Sequence, residues 1–396
     1  MKTVPEKEIR ARIESLSTRL ANDGVDLALI AQHIDRFYFT GTMQDGVFVL
    51  PGGESGSGFE LGSLFVKRTL SRARTESPLP RIFGLERFAG IDEYVRDCGF
   101  RHSVIGIEAD VIPASLYLSV KAQWPRSELV DISPAIREIR AVKSSFEIGM
   151  IREAGRRLDR VFACTADCIR PGMTEYELYS FITGRLAEEG AGPFIRARRF
   201  NMEVLPCYVL SGPSAAKHSL LDSPSSGGDG RTVAYPAGSG DRKIKKGEPI
   251  LIDMVFSHEG YQVDCARVFS IGKPSPRYMH AHTVSKQCHE LFCEAVSGRK
   301  LVEDIDRELR KTVAACGLQD VFMGSVSFIG HGIGLELDEL PIIFKKYPGM
   351  VEEGMVVAFE PKFVFDGGTV GYETTYAVEN GECIPLNGYE TGIRVL

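Results

Sequence analysis

Five side chains in the second half of the chain have the types and settings of a metal centre: Asp253, Asp264, His331, Glu360 and Glu373. The two aspartates lie eleven positions apart in ILIDMVFSHEGYQVDCARVFSI, His331 sits in FIGHGIGLELDELP, Glu360 ends the apolar run MVVAFE, and Glu373 lies in TVGYETTYAV. A carboxylate set in an apolar strand is costly unless a cation or a donor meets it. Four carboxylates and one imidazole form a hard, oxygen-rich ligand set. That set suits two divalent ions, such as manganese, cobalt, iron or zinc, better than one structural zinc. Two ions sharing a water would bring its pKa toward about 7 and polarise a carbonyl, which is the chemistry of metal-assisted hydrolysis. Each residue also has an ordinary reading. The aspartates could be solvated charges on a hairpin, and a histidine between Gly330 and Gly332 could be a turn residue. Five costly groups with one common partner outweigh those readings taken singly.

The elements that must position these residues follow from periodicity and turn chemistry. The aspartates flank the turn HEGY (258–261), as two adjacent strands of a hairpin would place them, and facing side chains of paired strands lie about 5 Å apart. Strands are expected at 204–210, 249–256, 261–270, 325–329, 355–365 and 369–378. Helices are expected after the capping boxes Ser144-x-x-Glu147 and Thr174-x-x-Glu177 and over 277–297 and 302–315. A Gly-rich loop spans 225–248, long enough to suggest a functional role. His280, His282 and His289 share one of these helices, where surface positions are the simplest expectation. The first part of the chain alternates helix and strand: a helix over 5–22 with Ile9, Ile13, Leu16 and Leu20 on one face, strands at 26–31, 59–68 and 103–108, and a helix over 112–123. PGGESGSG (51–58) reads as a turn or loop. The chain of 396 residues is too long for one ordinary core. The expected organisation is a small α/β domain at 1–143 and a larger α+β domain at 144–396.

Composition narrows the function classes. With a formal net charge of −6 and no Lys/Arg run, nucleic acid is not an expected partner. No stretch of about 18 apolar residues predicts a membrane span. The charged start MKTVPEKEIRARIESL lacks the apolar stretch of a signal peptide. Nine cysteines without CxxC spacing read as reduced thiols, so the expected location is cytoplasmic.

Asp-x10-Asp, then GHGIG, then Glu-Pro, then a strand Glu resembles the pita-bread metallopeptidases: methionine aminopeptidase, aminopeptidase P, prolidase and creatinase. The resemblance covers roughly residues 144–396. Residues 1–143, with FYFTGTMQDGVFVLP, look like the N-terminal domain of the creatinase/prolidase branch, which methionine aminopeptidase lacks. The resemblance implies that Asp253, Asp264, His331, Glu360 and Glu373 are the ligands of two divalent ions, manganese first. It implies that Glu360 also carries a proton, and that His218 in SGPSAAKHS meets the substrate or its leaving nitrogen. It implies a homodimer, and Arg267 matches the arginine that follows the second aspartate, where structural pairing with a carboxylate is the simplest expectation. Two departures bear on the substrate. Relatives that act at proline read GHGIG-x-x-x-His, whereas Asp338 stands there, and they often carry Arg where this chain has Gly371. An ionised carboxylate cannot donate a hydrogen bond to a carbonyl. Asp338 could recognise a cationic group on the substrate or serve as a structural partner.

The first expectation is a di-metal exopeptidase that cleaves before proline, either an Xaa-Pro aminopeptidase or an Xaa-Pro dipeptidase, acting on short peptides. A second is a non-peptidase hydrolase or lyase of a small zwitterion. A third is a catalytically silent peptide-binding protein.

Overall fold

The computed structural model describes residues 3–52, 60–221 and 225–396. The chain divides into two compact units, Met1–Arg140 and Ala141–Leu396.

In the first unit the helix Glu6–Asn22 buries Ile9, Ile13, Leu16 and Leu20. Gly24, in the left-handed region, follows its end. Strands β1 (Leu27–Ile30), β2 (Gly46–Pro51), β3 (Ser63–Val66), β4 (Ile82–Gly84), β5 (Val104–Ile107) and β6 (Glu128–Asp131) form one sheet in the order β4-β3-β2-β1-β5-β6. Because β1 pairs antiparallel with β2 and parallel with β5, the sheet is mixed. Its core gathers Leu27, Leu29, Val47, Phe65, Ile105 and Trp124. The loop expected at 51–58 lies, over 53–58, outside the described residues.

The second unit is built around a hairpin. Strands β8 (Pro249–His258) and β9 (Tyr261–Ser270) are buried along their whole length. β7 (Cys207–Ser211) flanks β8, and β17 (Arg394–Val395) flanks β9. The helix Ser145–Ala166 packs against β8 and β9 through a face that includes Ile148, Ile151, Leu158, Val161 and Phe162, each burial contributing roughly 1.5–3 kcal/mol. Its Ser144/Glu147 capping box is formed, as is that of Thr174/Glu177 before the helix Glu175–Glu188. A second sheet runs β11-β10-β12-β15-β16, from Glu339–Ile343, Gly330–Gly332, Val356–Phe359, Thr374–Glu379 and Glu382–Pro385. The helices Pro276–Ser297 and Val302–Ala315 supply Val284, Cys288, Phe292, Ile305, Leu309 and Val313 to the core against these strands.

Three expectations shift. The strand expected at 325–329 lies instead at β10, so His331 is held in a central strand rather than in a turn. The single strands expected at 355–365 and 369–378 are each broken. β12 gives way to β13 (Lys362–Phe365), and β14 (Gly368–Gly371) gives way to β15. β13 and β14 form a two-stranded sheet, while β12 and β15 belong to the five-stranded sheet. The breaks fall at Glu360-Pro361 and Tyr372-Glu373. Proline has no N–H to give a ladder, and Gly371 has φ +123°, outside the strand region for other residues. Both glutamates therefore sit where the chain leaves one sheet for another.

Candidate metal centre

Asp253 and Asp264 share one face of the β8–β9 hairpin. They are not directly opposite, as the sequence suggested: Asp253 faces Ala266, and Asp264 faces Val255, so the pair is diagonal. The diagonal offset leaves more room between them than a facing pair would have. His331 comes from β10, which lies between β11 and β12. A Cβ at Gly332 would meet the Leu340 carbonyl at 2.1 Å, so glycine beside the histidine is required by close backbone approach. Glu360 leaves β12 with its N–H bonded to Ile329 O at 2.9 Å, and Glu373 enters β15 with its N–H bonded to Ala266 O at 3.0 Å. All five side chains are buried.

His331 Nδ1 lies 3.0 Å from Gly332 O and 3.5 Å from Asp338 Oδ1. These acceptors assign the proton to Nδ1 and leave the Nε2 lone pair facing Asp264 Oδ2, 3.8 Å away. A carbonyl or carboxylate behind a histidine is the usual device for orienting a metal-ligating ring. Burial lowers the His331 pKa, but Asp338, Glu360 and Glu373 outweigh it and leave the pKa raised.

A sixth side chain, Lys362, enters the centre. Its ammonium is fully buried and bonds Asp253 Oδ2 at 2.7 Å, Glu360 Oε2 at 2.8 Å and Glu373 Oε2 at 2.9 Å. Burial opposes its charge, but Asp253, Glu360 and Glu373 prevail and hold it well above the ordinary lysine range. Asp264 has no such bond. Burial, then Glu373 and Asp253, push its carboxyl well above the usual range. Glu373 is raised by burial and by Glu360 and Asp253, partly relieved by Lys362.

Part of the donor set is free for the ion that the residue types imply. Asp264 Oδ1 and Glu373 Oε1 are buried with no hydrogen-bond partner. Asp264, His331 and Glu373 can each offer a ligand atom, all within 4.8 Å of one another. These atoms fit one divalent cation. One oxygen of Asp253 and one of Glu360 are bonded to Lys362, so the two-ion expectation meets a group it did not include.

The centre opens into a pocket of about 350 Å³ that includes open solvent. Asp253, Asp264, His331, Glu360 and Glu373 line one side, and Val204, Leu205, Val255 and Leu337 form an apolar wall with Tyr208. Tyr208 Oη is buried without a hydrogen-bond partner. His218 is exposed and is not among the lining residues. Asp338 is likewise not among them; it has φ +61° and turns toward His331.

Comparison with known proteins follows this division of the chain. Residues 149–380 match the model of metallopeptidase family M24, and residues 12–142 match the creatinase/prolidase N-terminal domain. The chain belongs to metallopeptidase family M24. It has the two-domain architecture of a creatinase-type N-terminal domain and a pita-bread domain. An Xaa-Pro dipeptidase of Pyrococcus furiosus is 24% identical over 379 residues, covering 94% of this chain and 97% of that protein. Among solved structures, an X-Pro aminopeptidase from Thermotoga maritima superposes with a TM-score of 0.77 at 22% identity, covering 97% of this chain and 99% of that one. The prolidase from Pyrococcus furiosus superposes with a TM-score of 0.75 at 22% identity, covering 94% and 99%.

The M24 domain braces these candidate ligands from behind with residues the sequence did not single out for that task. Arg267 is buried and donates to the carbonyls of Ala266, Glu373 and Tyr389. These bonds go to backbone, fixing the switch point at Glu373, where the sequence suggested a carboxylate partner. Of the three helix histidines, His280 is exposed, whereas His282 and His289 are buried, which corrects the surface expectation. His282 directs Nε2 to Thr391 O at 2.6 Å. His289 stacks on Tyr372 at 3.8 Å between centroids, directs Nε2 to Tyr372 O at 3.1 Å and Nδ1 to Tyr376 Oη at 3.0 Å. A carbonyl can only accept, so Nε2 carries the proton and Tyr376 donates to Nδ1.

Burial pushes the His289 pKa down to about 3. The unfolded chain protonates near pH 6.5. Its neutral ring therefore contributes stability above about pH 6.5 that is lost as the pH falls toward the folded value. Between pH 7 and pH 5 in the presence of a chelator, the M24 protein should lose roughly 2 kcal/mol more stability than a His289→Gln variant. Urea titrations at the two pH values would measure it, and parallel losses would remove His289 as the source.

Proposed function

We propose that this M24 protein is a metal-dependent exopeptidase that cleaves at Xaa-Pro bonds of short peptides, as a dipeptidase or an aminopeptidase. The observation carrying this reading is the convergence of Asp253, Asp264, His331, Glu360 and Glu373 on one pocket with an apolar wall. Relatives spanning nearly the whole chain are Xaa-Pro dipeptidases, which supports the substrate class. A pyrrolidine ring is compact and apolar, and Val204, Leu205, Val255 and Leu337 provide a surface of that kind.

A divalent ion held by Asp264, His331 and Glu373 would supply Lewis-acid polarisation of the scissile carbonyl and hydroxide at neutral pH. Manganese is the ion we assign, from a carboxylate-rich set that also accepts cobalt, iron and zinc. The chain's own groups do the rest. Glu360, with Oε2 tied to Lys362, is oriented to take a proton and return it to the leaving nitrogen. Tyr208 lines the same pocket and places a phenol within the substrate space. Gly332 O orients the His331 ring, and the Asp338 carboxylate at 3.5 Å adds its charge behind the ring, which favours a supporting role for Asp338 over contact with a cationic substrate. His218 contributes to substrate contact in this reading only if its exposed segment moves over the pocket. Nine free cysteines support a reducing, cytoplasmic location, and the homodimer is carried by the resemblance of the N-terminal domain.

The test is product analysis by mass spectrometry after incubating manganese-loaded protein with Xaa-Pro dipeptides and longer Xaa-Pro peptides. Release of the first residue is expected, with loss of at least about 100-fold in a Glu360→Gln variant. The preferred length separates dipeptidase from aminopeptidase. Turnover of no peptide by metal-loaded protein would overturn the reading.

A further inference from the structure

We infer that Lys362 stands in for one of two divalent ions, so that the centre holds a single ion at Asp264, His331 and Glu373. The inference rests on the metallopeptidase reading above and concerns the composition of the same centre.

Geometry carries it. The Lys362 ammonium contacts one oxygen from each of Asp253, Glu360 and Glu373 at 2.7–2.9 Å. An ion taking those same oxygens at about 2.0–2.2 Å would have to share them with the ammonium or displace it. Displacement is costly, because the lysine side chain is wholly buried and its strand is fixed by the Met323 N–H bonded to Lys362 O at 2.9 Å. Lys362 also pairs across β13–β14 with Gly371. A Cβ at Gly371 would lie 2.4 Å from Pro361 O, so position 371 cannot supply a side-chain cation in this hairpin. The positive charge at this end of the centre comes from Lys362.

Charge and unsatisfied atoms point the same way. In their ionised, metal-ligating form the four carboxylates outnumber the one ammonium by three charges, with Asp264 the one that the ammonium does not touch. One divalent ion brings the cluster close to balance. The ligand atoms agree: Asp264 Oδ1 and Glu373 Oε1 are buried with no hydrogen-bond partner, and their residues lie with His331 in the one group of ligand atoms close enough to hold an ion among the described residues. The ammonium also stiffens the site before any ion arrives, since it already draws Asp253, Glu360 and Glu373 together.

The test is metal content and spin state of the full-length protein. Protein is loaded with excess Mn²⁺, desalted and assayed for manganese per chain, and its paramagnetic resonance spectrum is recorded. One ion per chain with the spectrum of isolated Mn²⁺ is expected. Lys362→Ala, checked for folding by circular dichroism, should rise to two ions per chain with an exchange-coupled spectrum. Two coupled ions in the unaltered protein would overturn the inference whatever the variant does. The peptidase assay separates the two readings: two ions with Xaa-Pro cleavage defeats only the single-ion assignment, one ion without cleavage defeats only the peptidase reading, and no bound ion defeats the single-ion assignment together with the metal chemistry.

Discussion

Lys362→Met should destabilise the chelator-treated protein by about 3–5 kcal/mol, and excess divalent ion should recover most of that loss. Methionine keeps nearly the length and volume of the lysine, so little of the change would come from packing. What disappears is the cation that meets Asp253, Glu360 and Glu373 at 2.7–2.9 Å in a fully buried site. Removing one partner of a buried ion cluster leaves uncompensated charge, and such changes cost several kcal/mol, against at most about 1 kcal/mol for an exposed pair. The carboxylates would answer by taking up protons, which makes the variant's deficit smallest at low pH and largest above neutrality. Equilibrium urea unfolding in EDTA and in excess Mn²⁺ measures both effects. A loss below about 1 kcal/mol in EDTA would mean that the ammonium is not what holds these carboxylates together.

The candidate metal-binding face of this chain was legible because its residues break local rules. An aspartate in PILIDMVF or a glutamate after MVVAF contradicts the apolar pattern around it, and such contradictions have few physical resolutions. The hairpin and the long amphipathic helices were legible for the opposite reason: Ile148, Ile151 and Leu158 repeat with the helix period, and capping boxes mark the starts. The strand breaks at Glu360 and Glu373 were not legible, because apolar residues continue on both sides of them and only the pairing partners change sheet. Lys362 was missed for a related reason. A lysine after Pro361 reads as the solvated end of a strand. The available signal was its spacing of two from Glu360, which in extended chain returns a side chain to the same face. His282 and His289 hid in a helix whose ordinary apolar residues already accounted for its burial.

Asp264→Asn should produce opposite changes in two properties that a merely structural aspartate would move together. The substitution keeps shape but removes the negative charge of the ligand that lacks an ammonium contact. In the metal-free protein that charge is a burden: burial, Glu373 and Asp253 hold the Asp264 carboxyl pKa well above its unfolded value. A raised folded pKa means the native state binds the proton more tightly than the unfolded chain. Asp264 therefore favours folding at acid pH and loses that contribution as the pH rises from about 4 through the folded value. At pH 7 in EDTA the asparagine variant should thus be more stable than the unaltered protein, by roughly 1–3 kcal/mol. With Mn²⁺ present the order should reverse. Loss of a ligand exceeds the roughly 10–100-fold penalty of disturbing a ligand's supporting partner. The variant should then need at least about 100-fold more metal for half occupancy, and its peptide turnover should fall at least in proportion. Titration calorimetry with Mn²⁺, alongside urea unfolding with and without the ion, reads both signs in one protein preparation. If Asp264→Asn lowered stability in EDTA, the carboxylate would be acting as a structural hydrogen-bond partner, and its orphaned Oδ1 would no longer argue for an ion.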